Sequence, residues 1–467
     1  MKISLENFQP QEKWELLKFK IRAYCIKFSK EKAKERKDKI NKLEEIIKEY
    51  ETLPDKNSDQ YLESKLKYEE MLNVKTAGSI LRSRATIYEN NEKSSKYFLS
   101  LEKKNASQNT IRVLLENNDS RREISNPKNI AKEIKNFYSE LFCKQENKTQ
   151  EQCLSFLNGL DIPKVEDHFN EVLKKPPTLV EIEDAIKNSQ NGKSPGNDGF
   201  GREVYIVFWK NLSGPLLESF IDGKKRGILS PSQRQAVIKL LEKKGKDKRL
   251  IGNWRPISLI NYDTKILTKV LAKRLKKVLP SLIKYDQTAY VKNRFLGESV
   301  RLISDVLELT KTLNIEGFLM TVDIQKAFDS VDHEFLIACL RCMNFNVEFI
   351  NWIKVLLNQQ ESCVLNGSQS TGYFPLQRGV RQGDPISAYL FIIVIEVFFT
   401  MVRKNPKIKG LDILGFNYLL TSYADDTTFF VKDKEPALQI SDTFDLFSTY
   451  SGLKMNKSNW KLCKKRG

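Results

Sequence analysis

Two apolar runs that carry carboxylates constrain this chain more than any other feature of its sequence. The run FLMTVD ends on Asp323, and the run YLLTSYADDTTFFV carries Asp425 and Asp426 where two β-type segments meet. Short runs of apolar, β-branched and aromatic residues are typical of strands. Asp323 is therefore predicted at the end of a strand, facing a cleft. Asp425 and Asp426 are predicted at a hairpin tip, where adjacent like charges raise each other's pKa and cost stability.

Each run has an ordinary explanation when it is taken alone. An aspartate at a strand end often caps the next helix, and a solvated turn tolerates two neighbouring aspartates. Together the runs indicate a cation site, because Mg²⁺ prefers oxygen ligands and its coordination is completed by substrate phosphates. If the two strands lie side by side, Asp323 and Asp425 can hold a metal pair that activates an attacking 3′-hydroxyl and stabilises a leaving pyrophosphate.

The charge of the chain agrees with a phosphate-rich partner. Its 467 residues include 78 Lys and Arg against 59 Asp and Glu, a formal net charge of +19. Only two histidines are present, which excludes a histidine-rich metal site or a histidine-centred triad as the source of the chemistry. Seven scattered cysteines, no apolar leader and no apolar run of membrane-spanning length predict a reduced, intracellular and soluble protein.

The chain divides into three predicted parts. Residues 1–150 alternate charged and apolar positions at helical spacing, which predicts a basic helical extension. Within it, KEKAKERKDK at 30–39 is either a solvated helix face or a nucleic-acid contact. Residues 151–177 are interpreted as a linker. Residues 178–467 combine short β-type runs with longer helical patterns, which predicts an α+β domain.

A glycine-containing segment lies between the two carboxylate runs. In PLQRGVRQGDPISAYLFIIVIEVFF, the Asp-Pro pair starts a helix that is apolar nearly all round. Gly379 and Gly383 permit close approach of a ligand to the backbone. The neighbouring Arg378, Arg381 and Gln382 favour a polar surface laid against a substrate. The alternative is a simple turn before a core helix.

Several segments, in collinear order, resemble one known family. FLMTVDIQKAFDSVDHEFL, QRGVRQGDPISAYLFI and SYADDTTFF resemble the palm motifs of reverse transcriptases. NGKSPGNDGFGREVYIVFW, NWRPISLINYDTKILTKVLAKRLKKVL and QTAYVKNRFLGESVRLISDVL resemble the fingers motifs of non-LTR retrotransposons of the long interspersed element type. The resemblance implies a right-hand polymerase palm and fingers after the helical extension. It also implies an RNA template, a DNA primer and deoxynucleoside triphosphates as partners.

The resemblance assigns the metal-binding and catalytic roles. Asp323 and Asp425 would bind the metals, Asp426 would support them as a nearby carboxylate, and the backbone carbonyl of Ile324 would join the coordination. The implied cofactor is Mg²⁺, with Mn²⁺ as a substitute.

The resemblance also implies a set of substrate contacts. Phe328 falls where the family places an aromatic gate under the incoming sugar, and its alternative role is ordinary core packing. Lys239 and Arg255 match fingers positions that clamp the triphosphate, where a fixed guanidinium fork suits phosphate oxygens. Gln382 and Gly383 match the segment below the templating base pair. The expected primer and template contacts are Tyr423, Arg378 and Arg381.

The sequence departs from the family pattern in two respects. Asn459 stands where relatives usually carry a lysine, with Lys457 or Lys454 as candidate substitutes. The family's endonuclease, thumb and Cys/His-rich tail have no counterpart in the sequence, so we expect a nicking endonuclease to act in trans. Because the family primes at nicked chromosomal DNA, we expect a nuclear location.

Two other functions fit the same residues. A truncated, inactive retrotransposon-derived protein would hold RNA or RNA–DNA duplex through its charge of +19 without turnover. An RNA-templated RNA polymerase would use the same paired carboxylates but would need a small or hydrogen-bonding residue in place of Phe328. The sequence leaves open the template preference, the oligomeric state and whether the chain is active.

Overall fold

Two larger β-sheets, three short strand pairs and the helices around them make up the described part of the protein. The computed structural model describes residues 8–52, 59–83, 110–116, 122–145, 148–456 and 461–464. Helices and strands are mixed along the chain, which confirms the predicted α+β class. No helix in these ranges is long and apolar enough to cross a membrane.

A helical hairpin begins the described chain. It consists of α1 (Pro10–Glu51) and α2 (Asp59–Ser83). α1 starts at a proline, and the Glu12 carboxylate accepts the Gln9 N–H at 3.0 Å. Tyr68 of α2 donates to Glu44 of α1 at 3.0 Å, so the two helices run antiparallel. The predicted N-terminal helical region is therefore confirmed.

The first sheet, here called the fingers sheet, has five strands. They are β3 (Gln235–Glu242), β4 (Trp254–Ile260), β7 (Gln360–Asn366), β8 (Gln369–Ser370) and β9 (Phe374–Leu376). β3 pairs antiparallel with β4 in the register Lys239↔Ile257, and parallel with β7. A short pair, β1 (Leu114–Leu115) and β2 (Glu123–Ile124), precedes α3 (Pro127–Leu141), which packs on β7 and β9.

The second sheet, here called the palm sheet, carries the predicted carboxylates. Its strands in spatial order are β12 (Leu420–Tyr423), β13 (Asp426–Val431), β5 (Phe318–Val322) and β15 (Lys461–Lys464). All three pairings are antiparallel. Two short pairs flank it: β6 (Ile324–Gln325) with β14 (Lys454–Met455), and β10 (Leu411–Ile413) with β11 (Phe416–Tyr418).

Helices cover the sheets and fill the space between them. Before the palm they are α4 (Gln150–Asn158), α5 (Asp167–Leu173), α6 (Leu179–Lys187), α7 (Arg202–Val207), α8 (Trp209–Arg226), α9 (Pro231–Arg234), α10 (Tyr262–Leu282) and α11 (Leu296–Thr312). Within the palm they are α12 (Ala327–Ser330), α13 (His333–Cys342), α14 (Val347–Leu357), α15 (Ser387–Lys404) and α16 (Lys434–Ser451).

The main hydrophobic core lies behind the palm sheet. α15 is buried over most of its length, as its nearly continuous apolar sequence predicts. Phe398 of α15 packs against Phe429 of β13 and against Phe444 and Phe447 of α16, with ring centroids 5.0–6.2 Å apart. This packing fixes the sheet from behind and leaves its strand ends open toward the fingers.

Contacts cross the predicted domain boundary near residue 150. α3 shares a hydrophobic cluster with the fingers sheet, and α4 packs on α13 of the palm. The division into residues 1–150, 151–177 and 178–467 stays a prediction, but residues 127–141 already help to build the fingers.

Candidate active site

Asp323 lies between two short strands at the end of the palm sheet. β5 ends at Val322 and β6 begins at Ile324, so the chain changes its pairing partner at this residue. Asn456, next to β14, donates its N–H to the Asp323 carbonyl at 2.8 Å and its side-chain amide to Asp323 Oδ2 at 3.1 Å. The half-buried carboxylate is thus held at a strand end, where the apolar run ahead of it predicts it.

Asp425 lies in the two-residue turn between β12 and β13. Tyr423 pairs with Asp426 across this turn, and Ala424 has a φ of 59°. That backbone region is unfavourable for a residue with a Cβ, so other contacts must stabilise the turn. The register Thr427↔Val322, continued by one residue, brings Asp426 opposite Asp323. Asp426 at the start of β13 therefore lies beside Asp323, and Asp425 in the turn is close enough to interact with both.

The three carboxylates line one cavity of about 750 Å³. Burial, together with Asp426 and Asp323, raises the pKa of Asp425, and burial together with Asp323 raises the pKa of Asp426. A divalent cation stabilises such a concentration of negative charge. Within the described ranges, no three His, Cys, Asp or Glu side chains form a complete metal site. Backbone and substrate oxygens would have to complete the coordination.

A buried glutamine stabilises the turn that carries Asp425. The Gln287 Oε1 accepts the Ala424 N–H at 3.0 Å, and its Nε2 donates to the Ala424 carbonyl at 3.2 Å. The next residue, Thr288, donates its N–H to the Ser422 carbonyl at 2.9 Å. Gln287 therefore satisfies both backbone groups of the strained residue. It lies in the motif QTAYVKNRF, but nothing in the sequence shows this contact across 137 positions.

An ion-pair network supports the same segment from behind. Arg403 of α15 donates to both oxygens of Asp286, at 2.8 and 2.6 Å, and to Glu396 at 2.8 Å. The Asp286 carbonyl in turn accepts the Ser422 N–H at 2.7 Å. Burial raises the pKa of Glu396 to about 7, although Arg403 opposes the shift. The network links the core helix to β12 and so to the turn.

Aromatic side chains form part of the cavity wall. Phe328 is half-buried and stacks on Phe391 of α15, with ring centroids 5.0 Å apart and an interplanar angle of 18°. It lines the cavity as well, so core packing and a cavity role coexist in one residue. Tyr423 lies just outside the lining, with its ring centroid 6.4 Å from that of Tyr290, which does line the cavity.

Three basic side chains, Lys243, Arg255 and Lys326, also line the cavity. Arg255 is exposed on β4 at its expected place. Lys239, which was expected beside it, lines a neighbouring groove instead. Residues 239, 241 and 243 follow one another on the same face of an extended strand, so Lys243 lies further along toward the carboxylates. Lys243 is therefore the lysine that lines the cavity on this side, and the clamp role expected of Lys239 stays a prediction.

Lys326 connects the N-terminal part of the chain to the cavity. Its ammonium lies 4.0 Å from the ring centroid of Phe137 in α3, and burial lowers its pKa to about 8. Asp329, three residues later, is buried, and burial raises its pKa to about 7. The Gln382 side-chain amide donates to Asp329 at 3.4 Å. Sequence reasoning missed Phe137, Lys326 and Asp329, since none of them falls in a pattern with one chemical meaning.

Gln382 and Gly383 line the cavity beneath the fingers sheet. The Gln382 carbonyl accepts the Ser258 N–H of β4 at 2.8 Å. Gly383 has a φ of 105°, and a Cβ there would lie 2.8 Å from the Ser258 carbonyl oxygen. Only glycine therefore fits at this close approach. Contact of this segment with a nucleotide stays a prediction.

Arg378 and Arg381 are buried and do not line the cavity. Arg378 Nε donates to the Leu141 carbonyl at 2.7 Å, and Arg381 Nη2 donates to the carbonyls of Arg234 and Glu361. Burial lowers the pKa of Arg381 to about 10. These hydrogen bonds favour positioning roles for both arginines, and the expected primer and template contacts at Arg378 and Arg381 stay predictions.

A second groove, of about 1400 Å³, lies on the other side of Gly383, which lines both spaces. Five basic residues line it: Lys193, Arg202, Lys239, Lys265 and Lys269. Leu241, Ile257 and Leu259 of the fingers sheet supply an apolar floor. A basic groove with an apolar floor, continuous with the carboxylate cavity, can accommodate a nucleic-acid strand.

Comparison with known proteins identifies this part of the chain. The family described as reverse transcriptase (RNA-dependent DNA polymerase) matches residues 241–466. That range contains the three carboxylates, Phe328 and the Gln382–Gly383 segment. Residues 241–466 therefore form a reverse transcriptase domain. Asn459 of the reverse transcriptase domain lies outside the described residues.

Relatives of the reverse transcriptase domain come from non-LTR retrotransposons. The transposon TX1 uncharacterized 149 kDa protein of Xenopus laevis is 31% identical over 450 residues, which are 95% of this chain and 34% of that protein. The Pol polyprotein from the R2 retrotransposable element of Popillia japonica is 29% identical over 241 residues, 50% of this chain and 32% of that protein. The chain therefore spans about a third of the length of these relatives.

Two further matches are more distant. The RNA-directed DNA polymerase from the mobile element jockey of Drosophila melanogaster is 24% identical over 262 residues, 55% of this chain and 28% of that protein. A telomerase structure from Candida tropicalis matches over 57% of this chain and 46% of the telomerase chain, with a TM-score of 0.37 and 14% identity. At that TM-score the likeness carries no argument.

Proposed function

We propose that this chain is an RNA-directed DNA polymerase of a non-LTR retrotransposon, which adds deoxynucleotides to a primer 3′-hydroxyl on an RNA template. One observation carries the proposal: Asp323, Asp425 and Asp426, which are three of the five aspartates in the lining, share a cavity of about 750 Å³ with three basic side chains. A nucleoside triphosphate needs carboxylates that hold divalent cations and basic groups that bind phosphate oxygens. The family of the domain supports the same assignment.

The donor set fits divalent metal ions, which reverse transcriptases generally use. Asp323, Asp425 and the Ile324 carbonyl would hold Mg²⁺, or Mn²⁺ in its place, with Asp426 as a supporting carboxylate. When bound, the ions supply an activated primer hydroxyl and charge stabilisation at the leaving pyrophosphate. The raised pKa of Asp425 supports this assignment, because burial is its largest cause and the nearby charges of Asp426 and Asp323 add to it.

Arg255 and Lys243 would bind the triphosphate from the fingers side. Arg255 offers a planar guanidinium fork and Lys243 a point charge, and both line the cavity. Lys326 would contribute a third charge from the palm side, where Phe137 positions its ammonium. Binding of the triphosphate would then bring fingers and palm side chains to one ligand.

Phe328 would select the sugar. Its ring is stacked against the buried Phe391, so it cannot easily move away from a 2′-hydroxyl placed against it. A deoxynucleotide lacks that hydroxyl and avoids the collision. This favours DNA synthesis over the RNA-templated RNA polymerase that shares the same carboxylates.

The second groove would hold the template. Lys239 lies in it, which gives this residue a phosphate-binding role different from the expected clamp. Tyr423, next to the catalytic turn, would lie beside the primer terminus. An endonuclease acting in trans and a nuclear location stay predictions that rest on the family resemblance.

Primer extension tests the proposal. A DNA primer annealed to an RNA template is incubated with the protein, deoxynucleotides and Mg²⁺, beside Asp425→Asn and the exposed-site control Asp412→Asn. We expect extension by the unmodified chain and by the control, and a loss of at least about 1,000-fold in Asp425→Asn. Duplex binding without extension would instead make the chain a retrotransposon-derived binding protein.

A further inference from the structure

Residues 22–39 of α1, here called the arm, bury little of their surface against the rest of the described protein. All eighteen residues are exposed, whereas Trp14 and Lys18 at the base of the same helix are buried. At ~1.5 Å per residue the arm is about 27 Å long. A helix that buries so little surface gains little stability from packing, which points to a binding role.

The basic side chains of the arm are sorted by face. At helical spacing, Lys27, Lys30, Lys34 and Lys37 fall on one side, here called the lysine stripe. On the other side Lys32 pairs with Glu35 at 2.8 Å. Among the described residues we find no ion pair to the four stripe lysines. Their charges are therefore available to a ligand.

An exposed aromatic ring extends the lysine stripe toward the base of the helix. Phe19 falls on the same face and has 70% of its surface exposed, and Ile26 between them is 47% exposed. Single-stranded nucleic acids bind surfaces that combine an exposed aromatic ring with unpaired lysines, because bases stack on rings while phosphates contact ammonium groups.

The base of the arm lies beside the second groove. Lys18 makes ion pairs to Asp198 at 2.6 Å and Asp263 at 2.8 Å, and Trp14 donates to Asp263 at 2.9 Å. Trp14 also packs against Tyr205, with ring centroids 6.4 Å apart, and Tyr205 packs against Tyr262, which lines the groove, at 5.2 Å. A strand that leaves the groove can therefore continue onto the arm.

We propose that the lysine stripe and Phe19 bind single-stranded RNA. The four lysines extend over about 15 Å of helix, enough for several phosphates of one strand. Taking this strand to be template RNA outside the cleft rests on the proposed function; the binding itself does not. Charge complementarity favours RNA, since the arm carries eight Lys and Arg against three carboxylates.

The test measures the affinity of the full chain for a labelled 20-nucleotide single-stranded RNA by fluorescence anisotropy, without primer or nucleotides, over a range of salt concentrations. The stripe variant carries Lys27→Gln, Lys30→Gln, Lys34→Gln and Lys37→Gln. The control carries Lys32→Gln, Arg36→Gln, Lys39→Gln and Lys42→Gln, which remove the same charge from the other faces of the same helix. All eight residues are exposed, and circular dichroism confirms that the helix content is unchanged.

We expect the stripe variant to lose at least about tenfold in affinity and its log–log salt slope to fall by about three. The control should lose less than about threefold. Equal losses in the two variants would overturn the proposal, since they would show diffuse attraction by net charge. An undiminished affinity in the stripe variant would overturn it as well.

A third variant tests the stacking part. Phe19→Ala should weaken binding of the single strand by about fivefold with an unchanged salt slope, and leave duplex RNA binding unaffected. Equal effects on the two RNAs would overturn single-strand recognition. Primer extension, with Asp425→Asn in parallel, separates this proposal from the proposed function. If the unmodified chain fails to extend primers but the stripe variant shows its specific loss of RNA affinity, the arm site is retained. If the chain extends primers but the stripe variant loses no more affinity than the control, the arm site is excluded.

Discussion

The side chain of Gln287 makes two hydrogen bonds to Ala424, accepting its N–H at 3.0 Å and donating to its carbonyl at 3.2 Å. Ala424 has a positive φ and directly precedes Asp425. A residue outside the catalytic carboxylates thus fixes the backbone from which one of them projects. The position of Asp425 relative to Asp323 depends on this contact.

Gln287→Met keeps the size of the side chain and removes both hydrogen bonds. We expect the single-turnover extension rate to fall by about 100-fold, since displacements of about 1 Å have this effect. The nucleotide KM should change little, because the basic residues are untouched. Unpaired Ala424 groups should lower the free energy of unfolding by about 2–4 kcal/mol. Phe220→Leu, in the buried face of α8, is the control for stability. If it slows extension equally, the slower extension in Gln287→Met comes from lost stability and not from a displaced Asp425.

Lys239 of β3 and Lys243, which directly follows β3, provide a matched pair. Lys243→Ala should raise the nucleotide KM by about tenfold, because it removes a charge from the triphosphate side of the cavity. Lys239→Ala should leave that KM within about twofold and weaken template binding instead. Steady-state kinetics with varied nucleotide and varied template measure both. The reverse pattern would return Lys239 to the clamp and remove Lys243 from it.

Phe328→Ala should admit ribonucleotides. We expect the ratio of kcat/KM for deoxynucleotides to that for ribonucleotides to fall by about 10- to 100-fold, because the ring no longer excludes the 2′-hydroxyl. Phe391→Leu removes the stacking partner but keeps the ring at position 328, and should change the ratio much less. An unchanged sugar preference in Phe328→Ala would leave this residue with core packing alone.

Glu396 should make stability depend on pH. Its folded pKa is about 7, above the ordinary value of 4.5, because the side chain is buried. The contribution of the protonated Glu396 carboxyl to the free energy of unfolding is therefore complete below about pH 4.5. It is lost as the pH rises toward 7, by up to about 3 kcal/mol. Urea unfolding of Glu396→Gln should show a flatter profile in this window. The exposed control Glu435→Gln should follow the unmodified chain, and identical profiles for all three would exclude the effect.

The strand ends and the catalytic turn could be predicted from the sequence because they are local. A few neighbouring residues are enough to predict each of them: an apolar run ends on Asp323, and another is interrupted by Asp425 and Asp426. Gln287 could not be predicted in the same way. Its contact to Ala424 joins positions 137 residues apart and arises only when the chain folds.

The positions of three basic residues, Lys239, Arg378 and Arg381, could not be predicted from the sequence for a common physical reason. Lys239 and Lys243 share a strand face, so alternation cannot tell which of them reaches the cavity. Arg378 and Arg381 lie in a segment that looks exposed in sequence, yet the fold surrounds them with backbone carbonyls. The charge of a residue indicates which ligands its side chain can bind. The fold determines whether backbone carbonyl oxygens or substrate oxygens contact that side chain.

The pairing of β5 with β13 limits how the catalytic hairpin can vary. The register Thr427↔Val322 sets Asp426 opposite Asp323. One residue inserted between Thr427 and Val431 would shift the turn by ~3.4 Å and reverse the faces of its side chains. Substitutions in this strand change local packing only, whereas a single insertion or deletion separates the carboxylates. The hairpin is thus constrained in length more strictly than in composition.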